Sequence, residues 1–288
     1  MTYRGRFAPS PTGQLHFGSL VATVGSWLCA RHAKGQWLVR MEDIDPPREV
    51  AGSAASILAA LPAFGLVADE PVLFQSQRIA AYEAAFAQLQ ATDQVFPCWC
   101  SRSDLAASGD IHRDGLCTAT ATADRPPAWR LRVPDIEVTF DDALQGPQRQ
   151  NLRETAGDFV IRRVEGFYSY QLACVVDDAF QGITEVVRGN DLLDSTARQI
   201  WLQRCLGLPT PRYLHLPLAL DANGAKLSKS GQANPVDPAD PLSALRRALG
   251  FLQLPQPTSA IDVHDLLAQA LAGFEPSFLP HCSGYSAA

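Results

Sequence analysis

From its fourth residue the chain alternates two kinds of apolar pattern. RGRF (4–7) reads as a short strand, APSPTGQLH breaks all regularity, and apolar positions then return at helical spacing. Leu20, Val24, Trp27 and Leu28 share one face of a helix expected from about 18 to 33. QWLVRMEDID (36–45) predicts a strand ending in acids, and Ala-rich amphipathic stretches over roughly 50–64 and 76–91 predict two helices. Such alternation marks a parallel sheet with crossover helices. Between about 95 and 150 it breaks: cysteines, an Asp/Gly/His stretch, Pro126-Pro127 and the period-two runs WRLRV and EVTF predict a small insertion of antiparallel strands. Alternation resumes with DFVIRR (158–163) as strand, YSYQLACVVDDAF as helix, TEVVRG (184–189) as strand and LLDSTARQIWLQRCL as helix. RYLHLPLAL (212–220) is a further strand leading into DANGAKLSKSG, and from about 232 the chain is Pro-rich, then helical, with no internal repeat. The expectation is an α/β fold, a doubly wound parallel sheet divided into 1–94, an insertion at 95–150, a second half at 151–235 and a short helical C-terminal region at 236–288.

Composition changes this picture little. The 288 residues are 47% hydrophobic and 19% charged, enough for a large core. No apolar run approaches bilayer length, and MTYRGRFAPSP lacks the apolar core of a signal peptide, so a cytoplasmic protein without membrane association is expected. The net charge of −6 opposes a non-specific nucleic-acid coat but leaves room for a local basic groove. Seven scattered cysteines, only Cys98 and Cys100 closely spaced, do not suggest disulfides in that compartment.

Two stretches carry candidate chemistry. In a doubly wound fold, ligands bind where strands turn into helices, and a helix N-terminus suits phosphate. In RFAPSPTGQLHFGSL (6–20), Gly18 lets a ligand approach the backbone and His16 can donate to a phosphate oxygen. The plainer alternative is a proline-stiffened loop with a surface histidine. In GAKLSKSG (224–231), Lys226 and Lys229 are interleaved with serines and flanked by glycines, which suits a cationic loop closing on polyphosphate, or merely a solvated one.

Together these stretches carry a family resemblance. LHFGS (15–19) is similar to the HIGH-type motif, and KLSKS (226–230) to the KMSKS-type loop, of class I aminoacyl-tRNA synthetases. RMEDIDPPR (40–48), VVDDAFQGITEVVRGNDLLDST (175–196) and YLHLPLALDANGAKLSKS narrow the resemblance to glutamyl-tRNA synthetases, over about the first 235 residues. Fewer than 60 residues follow, too few for large anticodon-binding domains. The chain therefore resembles the truncated paralogues, the glutamyl-Q tRNA(Asp) synthetases, as does EDIDPPREV. That resemblance implies a Rossmann-type class I catalytic domain; the acidic total and the missing interaction domain suit a monomer, with the oligomeric state open. The resemblance also implies activation of L-glutamate with ATP and Mg2+, and transfer to queuosine in the anticodon of tRNA(Asp). Two other functions stay open: a shortened synthetase charging a tRNA 3' end, and a catalytically silent tRNA-binding paralogue.

By the same resemblance, Arg6, Phe7, Ala8, Pro9 and Ser10 hold the substrate carboxylates, Glu42 takes the ammonium, and Tyr170 and Arg188 close the pocket. Arginine suits this task because it meets carboxylates bidentately. Glu42 could instead be a solvated acid of EDID, and Arg188 a strand-end partner of Asp191 or Asp194. His16 and Gly18 meet the phosphates together with Lys226, and Lys229 stabilises the leaving pyrophosphate. The chain departs from the full-length pattern in having Cys174 for an asparagine and Leu192 for a tryptophan, which implies weaker glutamate binding. Family members hold zinc with C-x-C, a tyrosine and a cysteine. Cys98, Cys100 and Cys117 match, and IHRDGLC offers His112 in the tyrosine's place, or Arg113, which cannot ligate. Three ordinary buried thiols are the alternative. His32 and His215 read as structural, Trp27 and Trp201 as core aromatics, and Cys29, Cys174, Cys205 and Cys282 as isolated residues.

Overall fold

A computed structural model describes residues 2–113, 115–122, 124–221, 235–282 and 284–286. The first half runs β1 (Arg4–Phe7), α1 (Phe17–His32), β2 (Gln36–Met41), α2 (Ser53–Ala63), β3 (Leu73–Phe74) and α3 (Ile79–Ala91). His16 caps α1 through Nδ1, which accepts from the Ser19 N–H at 3.2 Å, and Arg31 and His32 sit at its last turn, where cations complement the helix dipole. β1, β2 and β3 pair in parallel in that spatial order.

The middle of the chain contributes β4 (Val95–Cys98), α4 (Arg102–Leu105), β5 (Ala128–Leu131), β6 (Glu137–Asp142), β7 (Gly146–Asn151), α5 (Leu152–Thr155) and β8 (Val160–Arg162). The second half continues with α6 (Tyr170–Phe180), β9 (Glu185–Gly189), α7 (Leu193–Leu206), β10 (Arg212–Leu216) and β11 (Leu218–Leu220), and the C-terminal region with α8 (Pro241–Phe251), α9 (Val263–Ala272) and β12 (Gly284–Ser286). β9 and β10 pair in parallel. Thr184, just before β9, donates its N–H to the Arg4 carbonyl at 2.9 Å, so β9 follows β1 on the edge opposite β2. Connections therefore run outward in both directions from the β1/β9 seam, which makes it the topological switch point of the sheet.

Three details differ from the pattern read off the sequence. The β6–β7 hairpin does not stay with the insertion: β6 pairs with β10 at Asp142 and Tyr213, extending the β9–β10 sheet. β8, read as a strand of the second half, instead pairs antiparallel with β5, which itself pairs with β4. Residue 150 is thus not a border between sheets. RYLHLPLAL is two strands, because Pro217 has no N–H for a ladder, and β11 turns away to pair with β12.

The core lies on both faces of the sheet. One cluster joins α1, β1, β2 and α2 to α8 and α9, with Leu245 and Leu249 fully buried and Phe17 edge-on to Phe251 at 5.8 Å. The other joins α3, α6 and α7 to β5, β6 and β8 around Tyr82, Leu131, Leu152 and Leu172. The C-terminal helices are thus part of the first core. Among the described residues, no helix is long and apolar enough to cross a membrane.

Candidate active site

A cavity of about 640 Å³ opens at the carboxyl ends of β1, β9 and β10. The structure brings Arg6, Phe7, Ala8, Pro9, Ser10, His16, Gly18, Glu42, Tyr170 and Arg188 into its wall. The two halves of RFAPSPTGQLHFGSL face it from different elements, the end of β1 and the start of α1. The loop between them is clamped by backbone bonds from Glu42 N–H to the Pro9 carbonyl and from Val50 N–H to the Pro11 carbonyl, each 2.9 Å. Capping consumes the Nδ1 lone pair of His16, so the neutral ring carries its proton on Nε2, which lies 3.1 Å from Ser19 Oγ. A Cβ at Gly18 would touch that ring, so glycine keeps its flank open. Lys226 and Lys229 lie outside the described residues.

Beneath the wall is a charge network the sequence reading missed. Arg6 gives Nε to Asp178 at 3.1 Å, and Arg40, fully buried, reaches Asp178 at 2.8 Å, the Gln181 side chain at 2.9 Å and Glu42 at 3.5 Å. Burial opposes ionisation of Asp178, but Arg40 and Arg6 outweigh it and bring its carboxyl down to about 2. For Glu42 burial wins over the same two guanidiniums, and its pKa is raised. The signal was there: an arginine between Val39 and Met41 in a buried strand, and Asp-Asp within an apolar helix, cannot be accommodated without partners. Cys174 is part of this layer, with Sγ 3.5 Å from Asp178 and 3.7 Å from Arg40, and does not line the cavity; Leu192 does.

Arg188 is bound on every N–H. Nε donates to His215 Nε2 at 3.0 Å, Nη1 to Gln199 at 2.8 Å and Tyr170 Oη at 3.3 Å, and Nη2 to Thr196 at 2.8 Å and the Leu192 carbonyl at 3.2 Å. Since Tyr170 accepts from Arg188, its own O–H is left to donate. His215 is a structural residue in a specific sense: Nδ1 lies 2.5 Å from Asp142, which fixes the tautomer whose Nε2 can accept from Arg188. Burial lowers the His215 pKa against the pull of Asp142, and the Arg188 charge acts with burial. No local motif could reveal this pair, because Asp142 and His215 lie 73 positions apart and meet only through the β6–β10 pairing.

The insertion holds a second cluster. The sulfurs of Cys98, Cys100 and Cys117 lie within 4.8 Å of one another, a group able to hold a metal ion. His112, expected as the fourth ligand, is not part of it. Its backbone carbonyl accepts from Asp158 N–H at 2.6 Å, its Nδ1 is 2.8 Å from the Asp158 carboxylate, and its ring leans on Phe96. Gly157 makes this approach possible, with φ of 57° and no Cβ to overlap the His112 carbonyl.

Residues 2–240 match the family model described as tRNA synthetases class I (E and Q), catalytic domain. A protein of Xanthomonas campestris pv. campestris named glutamyl-Q tRNA(Asp) synthetase is 55% identical over 292 residues, covering 100% of this chain and 97% of its own length. A Burkholderia mallei protein of the same name is 54% identical, covering 98% of this chain and 99% of its own. Among solved structures, glutamate-tRNA synthetase from Elizabethkingia anophelis superposes with a TM-score of 0.82 at 26% identity, covering 99% of this chain and 68% of that one.

Proposed function

The chain belongs to the class I tRNA synthetases of the glutamate and glutamine type, and from that premise we propose that it activates glutamate with ATP, without tRNA, and transfers it to queuosine in the anticodon of tRNA(Asp). The observation that carries this reading is the convergence of Arg6, Glu42, Tyr170 and Arg188 with the N-terminus of α1 on one cavity. Glutamate brings two carboxylates and one ammonium. Asp178 holds Arg6 by Nε, which presents the rest of its guanidinium to a carboxylate. Tyr170 donates to a carboxylate beside Arg188, and Glu42 receives the ammonium. The α-carboxylate oxygen attacks the α-phosphorus of ATP, the bond to the bridging oxygen breaks, and pyrophosphate leaves. His16, the first N–H groups of α1 and Lys229 bind the phosphates, so catalysis is positioning and charge stabilisation. A hydroxyl of the queuosine diol then attacks the glutamyl carbonyl and AMP departs. Mg2+ arrives as the ATP complex.

The test is exchange of labelled pyrophosphate into ATP with glutamate alone, followed by transfer to queuosine-containing tRNA and mass spectrometry of its nucleosides. Exchange together with a glutamylated queuosine is the expected result. Label on the 3' terminal adenosine, or no exchange, overturns the reading.

We read the thiol cluster as three of four ligands to one structural zinc ion. Soft thiolates suit that ion. Hydrogen bonds from Thr118 and from backbone outweigh burial and bring the Cys100 thiol down to about 6. Cys117→Ser is expected to lower bound zinc from about one ion per chain to well below that, measured by mass spectrometry of the purified protein. His112→Ala, outside the cluster, is expected to retain it. Equal zinc in wild type and Cys117→Ser sinks the assignment.

A further inference from the structure

On the far side of the first turn of α7 lies a second cavity, of about 320 Å³, with no part in the chemistry above. Asp191 and Leu192 line the main cavity, while Leu193, Asp194 and Arg198 line this one, so the two are neighbours along a single turn of chain. The opposite wall comes from the β6–β7 hairpin, through Phe140, Gln148, Arg149 and Gln150, with Thr155 of α5 at its edge. The hairpin's unexpected place beside β10 is what creates this cavity.

Its chemistry is unusual for a surface depression. Arg198 has its Nε buried with no hydrogen-bond partner, a costly arrangement that a bound acceptor would relieve. Arg149, between Gln148 and Gln150 and opposite Thr139, points to the other face of the hairpin, where it is largely exposed and 3.6 Å from Glu137. The amide nitrogens of Gln148 and Gln150 are spent on the Gln145 and Gly146 carbonyls and on Thr155. Their side-chain oxygens, with the Asp194 carboxylate, therefore offer acceptors. Phe140 supplies an aromatic surface. Guanidinium for phosphate, acceptors for exocyclic amines and an aromatic surface for stacking are together the means by which proteins hold an unstacked nucleotide of single-stranded RNA. A plain anion site would not need the acceptors or the ring.

We propose that this cavity holds one nucleotide of the tRNA loop flanking the modified base, its phosphate against Arg198 and its base against Phe140. The proposal rests on the tRNA-directed reading above, and adds to it a site for loop recognition separate from glutamate activation.

The experiment uses the full chain with Arg198→Gln and Arg149→Gln, and a fluorescent RNA of the tRNA(Asp) anticodon stem and loop. Tests without tRNA first establish folding: glutamate-dependent exchange is expected to stay within about twofold of wild type. Binding of the RNA to Arg198→Gln is expected to weaken about 10- to 100-fold, and the slope of log Kd against log salt to fall by about one. Arg149→Gln, on the other face of the hairpin, is expected to bind within about twofold of wild type, and a loss equal to that of Arg198→Gln would overturn the placement of the phosphate. Wild-type affinity and salt slope in Arg198→Gln overturn the proposal, as does displacement of the RNA by millimolar inorganic phosphate alone, the signature of a simple anion site. If wild type binds the RNA through Arg198 but transfers no glutamate to tRNA, the transfer reading fails and this site stands. If wild type binds no RNA, both fall.

Discussion

Arg188→Lys is expected to lower kcat/KM for glutamate in pyrophosphate exchange by about 10²- to 10³-fold, equal to about 3–4 kcal/mol of lost transition-state binding. The charge survives, but lysine has one nitrogen where arginine has three, and cannot meet His215, Gln199, Thr196, Tyr170 and the Leu192 carbonyl together. Tyr170 loses the partner that turns its hydroxyl outward, so most of the loss should fall on KM for glutamate while KM for ATP barely moves. A folded Arg188→Lys enzyme with wild-type kcat/KM would remove Arg188 from the pocket. The same geometry gives a pH dependence. His215 is held neutral below the ordinary imidazole range, so the unfolded chain takes up this proton first as the medium acidifies. Its contribution is therefore complete above about pH 6.5 and begins to fall below it. His215→Asn should remove that acid-side loss from the profile of unfolding free energy against pH; a profile unchanged by the substitution would make His215 mere packing.

The second large effect concerns stability. Asp178→Asn is expected to destabilise the protein by about 3–5 kcal/mol, because the Arg6 and Arg40 guanidiniums, both buried, lose the carboxylate that compensates them. On thermal denaturation this should appear as a Tm lower by roughly 10 °C. The carboxyl sits at about 2 in the folded protein, below its ordinary range, so its stabilisation is present at neutral pH and is lost as pH falls from about 4 towards 2. The variant should accordingly lose the steep part of the wild-type acid-unfolding curve in that window. An Asp178→Asn protein with wild-type Tm and wild-type acid unfolding would show that the network is not compensating charge.

How much of this was legible follows from how far each signal reaches along the chain. RGRF and the helix after His16 are local patterns, and both appear within a residue of where periodicity put them. Arg6, Glu42, Tyr170 and Arg188, which line one cavity, were singled out because short motifs mark them. Arg40 and Asp178 carried a weaker signal, a charge where the pattern demands apolar residues, and only the fold says that they answer each other. Alternation in EVTF correctly indicates an antiparallel hairpin, but period two cannot say which sheet edge the hairpin joins. The Asp142–His215 pair and the second cavity both depend on that choice. His112 illustrates the opposite error: spacing put it near the thiols, while a glycine and an aspartate at 157 and 158 hold it elsewhere.

The β1/β9 seam has a consequence for how the protein is made. Arg4 and Thr184 are 180 positions apart, yet their bonds join the two strands that floor the cavity. At about 5–20 residues per second, synthesis takes on the order of ten seconds or more to reach the second strand once the first has emerged. During that interval β1 can pair with β2, but its other edge stays open, a row of unpaired backbone groups of the kind that recruits foreign strands. The seam beside the cavity thus stays open until β9 has emerged, and a translating ribosome must present that edge to the cell unfinished.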